Sequence, residues 1–276
     1  MNDCAITYTV NSIHDILISN ISFHRKIGVK HFFVFMDNNK EEFPEELLDA
    51  EDVTCRRNVT PEELSSEKVS SRYLKDYNEQ YNSRRMFNVM WASYKSREDG
   101  IGWIASIDPD ELIICDTKDV HKNKIDEFLT NKSKYASIRM WTYEAHPYKG
   151  KVNKSFESMD KFVTFSHRSI MGLPFPFFMI RMVPHILIRR LGIFNGHWFG
   201  KAIFNIKYLD EYYPSVHSWH RIDSKTVKES LEFTISGNIF HYFHYDFDTY
   251  KDKVNYRNNR RLPISLSKRV SKKTLT

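Results

Sequence analysis

The period of the hydrophobic positions changes along the first hundred residues, and each change predicts an element. Ala5 to Val10 alternates weakly and is rich in β-formers, which predicts a strand. Ile13, Ile16, Leu17 and Ile21 recur at helical spacing, and Gly28 stands where that helix must close. His31 to Met36, HFFVFM, is a dense apolar run of strand length. Such a run predicts a strand buried on both faces, as in parallel α/β sheets. Asp37-Asn38-Asn39 follows at its end. Residues 40 to 80 are polar and acidic, and read as a long, mobile excursion holding one strand around Val53 to Arg56. Phe87, Met90, Trp91 and Tyr94 then mark one face of a helix. Gly100 and Gly102 turn the chain into Trp103 to Ile107, WIASI, a second buried strand that ends at Asp108.

Tyr135 to Trp141, Lys201 to Tyr208 and Asn238 to Tyr245 also read as β structure, and Asp248 to about Arg260 reads as a helix. Strands that alternate with helices predict an α/β fold with a mostly parallel sheet. The 276 residues suffice for one large domain of this class. We place it at residues 1–260, followed by a basic tail at 261–276 in a stretch with no acid after Asp252.

Composition adds exclusions. Hydrophobic residues at 41% and charged residues at 28% describe a globular chain with a sizeable core. The 20 Phe and 15 Tyr fit either a ligand pocket or a Phe-rich core. A net charge of +6 suits anionic partners, but the basic residues are scattered rather than gathered in a stripe, so no nucleic acid is expected. Cys4, Cys55 and Cys115 form neither a disulfide framework nor a zinc spacing, and MNDCAITYTV has no basic leader. Both features point to the cytoplasm. Met171 to Phe194 is the most apolar stretch, but Arg181, Arg189, Arg190 and three prolines interrupt it. That excludes a spanning helix. It leaves peripheral contact with the inner membrane face through 171–194, or a Pro-rich loop packed on the core.

In an open α/β sheet, ligands gather outside the carboxyl ends of the strands. Two strand ends here carry acids: Asp37, and the run Asp108-Pro109-Asp110-Glu111. Three carboxylates within four residues repel one another unless a cation or solvent relieves them. Pro109 removes a backbone donor and stiffens the turn. Asp108 and Asp110 can then aim oxygens at one hard divalent ion, Mn²⁺ or Mg²⁺, that neutralises a leaving diphosphate. A solvated acidic turn is the plainer alternative. Glu111 either caps the next segment or supports the ion's ligands.

WIASIDPDELIICD resembles the W-hydrophobic-ID-x-DE-hydrophobic signature of glycosyltransferases with the GT-A fold, the nearest group being the family 92 and family 2-like enzymes. Four other segments agree in order. ISFHRKIGVKHFFVFMDNN resembles their opening, YNSRRMFNVMWASYK the helix before the acidic motif, HWFGKAIFN their GKS segment, and IFHYFHYDFDTYKDK their closing strand and helix. Together they span roughly residues 5 to 255. The resemblance implies a GT-A domain with a nucleotide-sugar-binding half near 1–115 and an acceptor half near 116–260. It implies metal-dependent transfer of a sugar from a nucleotide-diphosphate donor, a UDP-sugar by preference, to a glycan, glycolipid or protein hydroxyl, as in polysaccharide biosynthesis.

Residue by residue, the resemblance implies that Asp37 lies near the nucleoside and that Asp108 and Asp110 hold the diphosphate through the metal. It gives Lys201 to a phosphate as a point charge and lets His241 complete the metal shell, with His217 and His220 as rival ligands. The chain departs from the pattern at Asn11, which is followed by Ser12 where the families often carry Asn-Glu, and in the longer, more apolar stretch from Lys161 to Asn195. An inverting transferase needs a carboxylate base for the acceptor hydroxyl. Candidates are Glu144, in MWTYEAH after a strand, then Asp210 and Glu211 in YLDEYY. Family 92 implies inversion; the residues alone leave retention open. The residues alone also permit two other classes: a metal-dependent phosphatase or nuclease using the acidic cluster, or a non-catalytic module for anionic ligands.

Overall fold

A computed structural model describes residues 2–64, 71–115, 123–145, 162–163, 200–222 and 231–241. The helix expected at 248–260, the basic tail and the apolar stretch 171–194 lie outside the described residues.

The chain opens with β1 (Cys4–Val10), α1 (Asp15–Lys26) and β2 (His31–Met36), as the periodicity predicts. Gly28 takes φ +96° just past α1. Its N–H donates to Arg25 O at 3.0 Å and the Val29 N–H to His24 O at 3.0 Å. This is a Schellman closure, which requires the left-handed backbone that glycine adopts without steric cost.

The described residues between 40 and 80 hold more regular structure than the single strand expected from their polarity. They contain α2 (Glu45–Leu48), β3 (Val53–Arg57), a 3-10 turn at Pro61–Glu63 and α3 (Ser71–Lys75). β3 is the edge strand, paired in parallel with β2 from Phe32↔Val53 to Met36↔Arg57. An edge strand can carry polar side chains, which is why its apolar signal is weak.

Next come α4 (Tyr81–Glu98), β4 (Trp103–Ser106), β5 (Glu111–Ile114), α5 (Ile125–Leu129), β6 (Ser137–Ala145), β7 (Phe162–Val163) and β8 (Ala202–Asn205). β9 (Tyr212–Pro214), β10 (Trp219–Arg221) and β11 (Leu231–His241) complete the described chain. The expected strand from Lys201 to Tyr208 is shorter, because a 3-10 turn takes over at Ile206–Glu211.

The main sheet runs β3-β2-β1-β4-β8-β6-β11-β5, with β7 against β6; β9 and β10 form a separate hairpin. β1, β2, β3, β4, β6 and β11 point one way, while β5, β7 and β8 run against them. The expected α/β class, a mixed and mostly parallel sheet flanked by helices, is what the chain forms.

Side-chain alternation loads both faces of the sheet. Ile6, Tyr8, Phe32, Val34 and Met36 pack with Leu17 and Ile21 of α1. Ala5, Phe33, Phe35, Ile104 and Phe204 pack with Met86, Phe87 and Met90 of α4. A strand sandwiched between two helical layers cannot alternate polar with apolar residues, so HFFVFM reads as one continuous run.

Candidate functional site at the carboxyl edge of the sheet

Strand direction sorts the candidates before any side chain is considered. Asp37 follows the end of β2, and Asp108 lies just past the end of β4. Glu144 and His241 lie at the ends of β6 and β11 and face each other in register. Glu111 opens β5 opposite His241, and Lys201 immediately precedes β8. β5 and β8 run backwards, so their beginnings share the edge where the other strands end. One edge therefore collects Asp37, Asp108, Asp110, Glu111, Glu144, Lys201 and His241.

Asp210 and Glu211 do not belong to this group. They sit in the 3-10 turn after β8, and Asn205 at the end of β8 pairs with Trp103 at the start of β4. Asp210 pairs with Arg97 at 2.9 Å, at the far end of α4 from Tyr81. An 18-residue helix is about 27 Å long. Both acids are exposed, and Glu211 lies 3.7 Å from Arg221. From sequence they stand as candidates after Glu144, because the sequence carries no strand directions.

At the acidic turn, the Asp108 Oδ1 accepts from Arg85 Nη1 at 2.8 Å and Oδ2 accepts from Lys201 Nζ at 2.8 Å. Burial works to raise the Asp108 pKa, but Arg85 and Lys201 outweigh it and hold the carboxyl well below its usual range. Lys201 Nζ also lies 3.2 Å from Glu111 Oε2, and the lysine is almost fully buried. Glu111 Oε2 in turn accepts from the Asp108 N–H at 2.8 Å, and the Glu111 N–H donates to Asp108 O at 3.0 Å. Burial, reinforced by the charge of Asp108, pushes the Glu111 carboxyl up against the pull of Lys201. Glu111 thus folds back and closes the turn.

Lys201 is thus paired with both Asp108 and Glu111 in this geometry, as an internal counter-ion of the turn. Asp108 is likewise committed to two cations. Asp110, the other acid of the motif, has its Oδ2 3.7 Å from His241 Nε2, and both residues are largely buried. The structure gives His241 the place beside the acidic turn. His217 and His220 flank Trp219 on the β9–β10 hairpin, where His220 Nε2 is 3.3 Å from Ser218 Oγ and Trp219 stacks on Phe204. Among the described residues, no group of three His, Cys, Asp or Glu could by itself hold a metal.

A second knot stands at Asp37. Its carboxylate accepts from Arg84 Nε at 2.5 Å and Nη2 at 2.9 Å, a two-point pairing, and from Asn58 Nδ2 at 2.6 Å. Asn88 holds Asn58 Oδ1 at 2.8 Å and Thr9 Oγ1 at 3.1 Å. The Tyr81 hydroxyl donates to Thr9 O.

Sequence reasoning missed Tyr81, Arg84 and Arg85, although the string YNSRRMFNVMWASYK was in view. The available signal was an Arg-Arg pair in the first turns of a helix that precedes an acid-ending strand. The helix's first turn lies at the carboxyl edge, so each arginine meets one of the two acids.

The Glu144 side chain lies outside what the structure describes; its backbone position is fixed by the β6–β11 register.

The chain resembles HddC from Yersinia pseudotuberculosis at 9% identity and a TM-score of 0.40, over 91% of this chain and 97% of that one, a likeness too low to carry an argument. No curated protein sequence matches. No helix among the described residues is long and apolar enough to cross a membrane. The model of glycosyltransferase family 92 matches residues 4–273, nearly the full length. With that match joined to a sheet whose carboxyl edge gathers the acids expected from sequence, the chain belongs to glycosyltransferase family 92.

Proposed function

We propose that this glycosyltransferase moves a sugar from a nucleotide-diphosphate donor, a UDP-sugar by preference, to an acceptor hydroxyl with a divalent ion and inversion at the anomeric carbon. The observation that carries this reading is the split within one acidic turn. Asp108 is charge-balanced by Arg85 and Lys201, while Asp110 stands against His241.

A carboxylate oxygen and a ring nitrogen 3.7 Å apart suit two positions of a hard cation's shell. Mg²⁺ and Mn²⁺ sites of this kind take one or two protein ligands and fill the remainder with phosphate oxygens and water. Asp110 and His241 would hold the ion, and a bound Mn²⁺ or Mg²⁺ would supply positive charge to the departing diphosphate. Asp108, Arg85, Lys201 and Glu111 keep the turn closed, so that Asp110 is held rather than mobile. The reading gives Asp37, fixed by Arg84 and Asn58, the nucleoside side of the site.

Glu144, facing His241 across the β6–β11 pair, is the base in this reading. Its carboxylate takes the acceptor hydroxyl proton, the acceptor oxygen forms a bond to the anomeric carbon, and the bond from that carbon to the diphosphate oxygen breaks. The acceptor class remains a glycan, a glycolipid or a protein. A family of glycosyltransferases places the chemistry with sugar transfer rather than with the phosphatase, nuclease or passive-binding alternatives.

The test is a donor-hydrolysis screen across nucleotide sugars, with Mn²⁺ and with chelator. Release of nucleoside diphosphate from one donor, dependent on metal, is expected. No release from any donor, or equal release in chelator, would contradict the proposal.

A further inference from the structure

β5 is the last strand of the sheet, with β11 on one side and no strand on the other among the described residues. Its outward backbone groups belong to alternate residues. Leu112 and Ile114 share the inner edge, while Glu111, Ile113 and Cys115 point away from β11. Buried backbone groups without partners are costly, and this edge is buried.

Side chains take the place of the missing strand. The Ile113 N–H donates to His24 Nε2 at 3.1 Å. The Ile113 carbonyl accepts from Asn123 Nδ2 at 3.2 Å, and the Cys115 N–H donates to Asn123 Oδ1 at 2.7 Å. Asn20 Nδ2 donates to the Glu111 carbonyl at 2.7 Å and to the Pro109 carbonyl at 2.8 Å.

Asn20 and His24 are one turn apart on α1, and both are fully buried. Each is oriented in turn. The Tyr8 hydroxyl donates to Asn20 Oδ1 at 2.7 Å, so both Asn20 N–H bonds are free for the turn. His24 Nδ1 lies 2.8 Å from Asn20 O, which fixes the proton on Nδ1 and leaves Nε2 to accept.

The contacts differ in where they fall. Asn123 holds the far part of the edge, at Ile113 and Cys115. Asn20 alone among the three reaches past the strand into the acidic turn, and its two acceptors bracket Asp110. Both N–H groups of one rigid amide therefore fix the carbonyls on either side of the residue to which we assign the metal.

We infer that Asn20 is a positioning residue for Asp110: it sets the turn for metal-dependent donor binding, whereas Asn123 only stabilises the strand. The inference rests on the metal reading proposed above, and the experiment separates the two. Asn20→Leu and Asn123→Leu are compared with the parent in two measurements. One is calorimetry with Mn²⁺ and UDP or GDP. The other is amide exchange at Asp108 and Glu111, normalised to global stability.

Both variants should lose stability. Only Asn20→Leu should weaken metal-dependent binding, by about tenfold to a hundredfold, the range for residues that orient metal ligands. Only Asn20→Leu should speed exchange at the turn. Equal effects from the two variants, or unchanged binding and exchange in Asn20→Leu, would overturn the inference. If the parent binds neither nucleotide with Mn²⁺, the metal reading fails, and turn exchange alone then decides whether Asn20 is the anchor. Should Asn20→Leu not fold, Asn20→Ser, smaller and still polar, must show the same split.

Discussion

Replacing Lys201 with methionine removes one charge from the best-buried ionic group of the site. The lysine Nζ bridges Asp108 Oδ2 at 2.8 Å and Glu111 Oε2 at 3.2 Å, with the lysine and Glu111 side chains 3% and 1% exposed. Met fills similar volume, so packing is nearly conserved and the change is chiefly electrostatic. Removing one partner of a buried pair costs about 3–5 kcal/mol, because the remaining charge is uncompensated. Arg85 still faces Asp108, so the burden falls on Glu111.

That carboxyl is already pushed up by burial, and loss of the lysine removes the largest influence holding it down. A group whose folded pKa exceeds its unfolded value favours folding at pH below the unfolded value. That advantage disappears as pH rises through the folded value. The defect of Lys201→Met is therefore full near pH 8 and shrinks toward pH 5 as Glu111 takes a proton.

Urea unfolding at both pH values measures it, and a thermal scan at pH 8 should show a fall on the order of 10 °C. Lys201→Met combined with Glu111→Gln should recover part of the loss. A variant as stable as the parent at pH 8, or a defect that grows on acidification, would refute the assignment of Lys201 as internal counter-ion.

Three further outcomes follow from the same geometry. Burial holds the His24 ring neutral, lowering its pKa to about 3. The unfolded chain therefore binds the extra proton first. Stability is full above about pH 6.5 and falls by about 1 kcal/mol per pH unit below it; His24→Asn should flatten this slope in urea titrations from pH 6.5 to 4. Arg84→Ala strips the two-point partner from Asp37, whose side chain is 5% exposed. It should cost about 3 kcal/mol in unfolding experiments and weaken nucleotide binding with or without metal. Asp210→Ala breaks only an exposed pair with Arg97 at the opposite end of α4. Its donor turnover should stay within about twofold of the parent and its stability within about 0.5 kcal/mol.

Much of the fold was legible in the chain because the sheet is buried on both faces. Continuous apolar runs at HFFVFM and WIASI, helical spacing in α1 and α4, and Gly28 each carry a local cause. β5 left no such trace. Its four residues follow the acidic turn directly, and its partner β11 lies more than a hundred residues away, so only the finished sheet identifies it. The same distance hid the charge pairing. Arg84 meets Asp37 across 47 positions and Lys201 meets Asp108 across 93. The acids could be found from their place after strands, but which of them would be neutralised from within could not. In the proposed reading the ion belongs with Asp110 and His241, beside an Asp108 paired with Arg85 and Lys201.

The central claim is tested most directly by calorimetric titration of UDP and GDP into the parent protein and Asp110→Ala, each with Mn²⁺ and with chelator. The account predicts that the parent binds one of the two nucleotides with Mn²⁺ and weakly without it, and that Asp110→Ala stays folded but loses the metal-dependent part. Undiminished Mn²⁺-dependent binding in Asp110→Ala, or binding by the parent that ignores the metal, would contradict it.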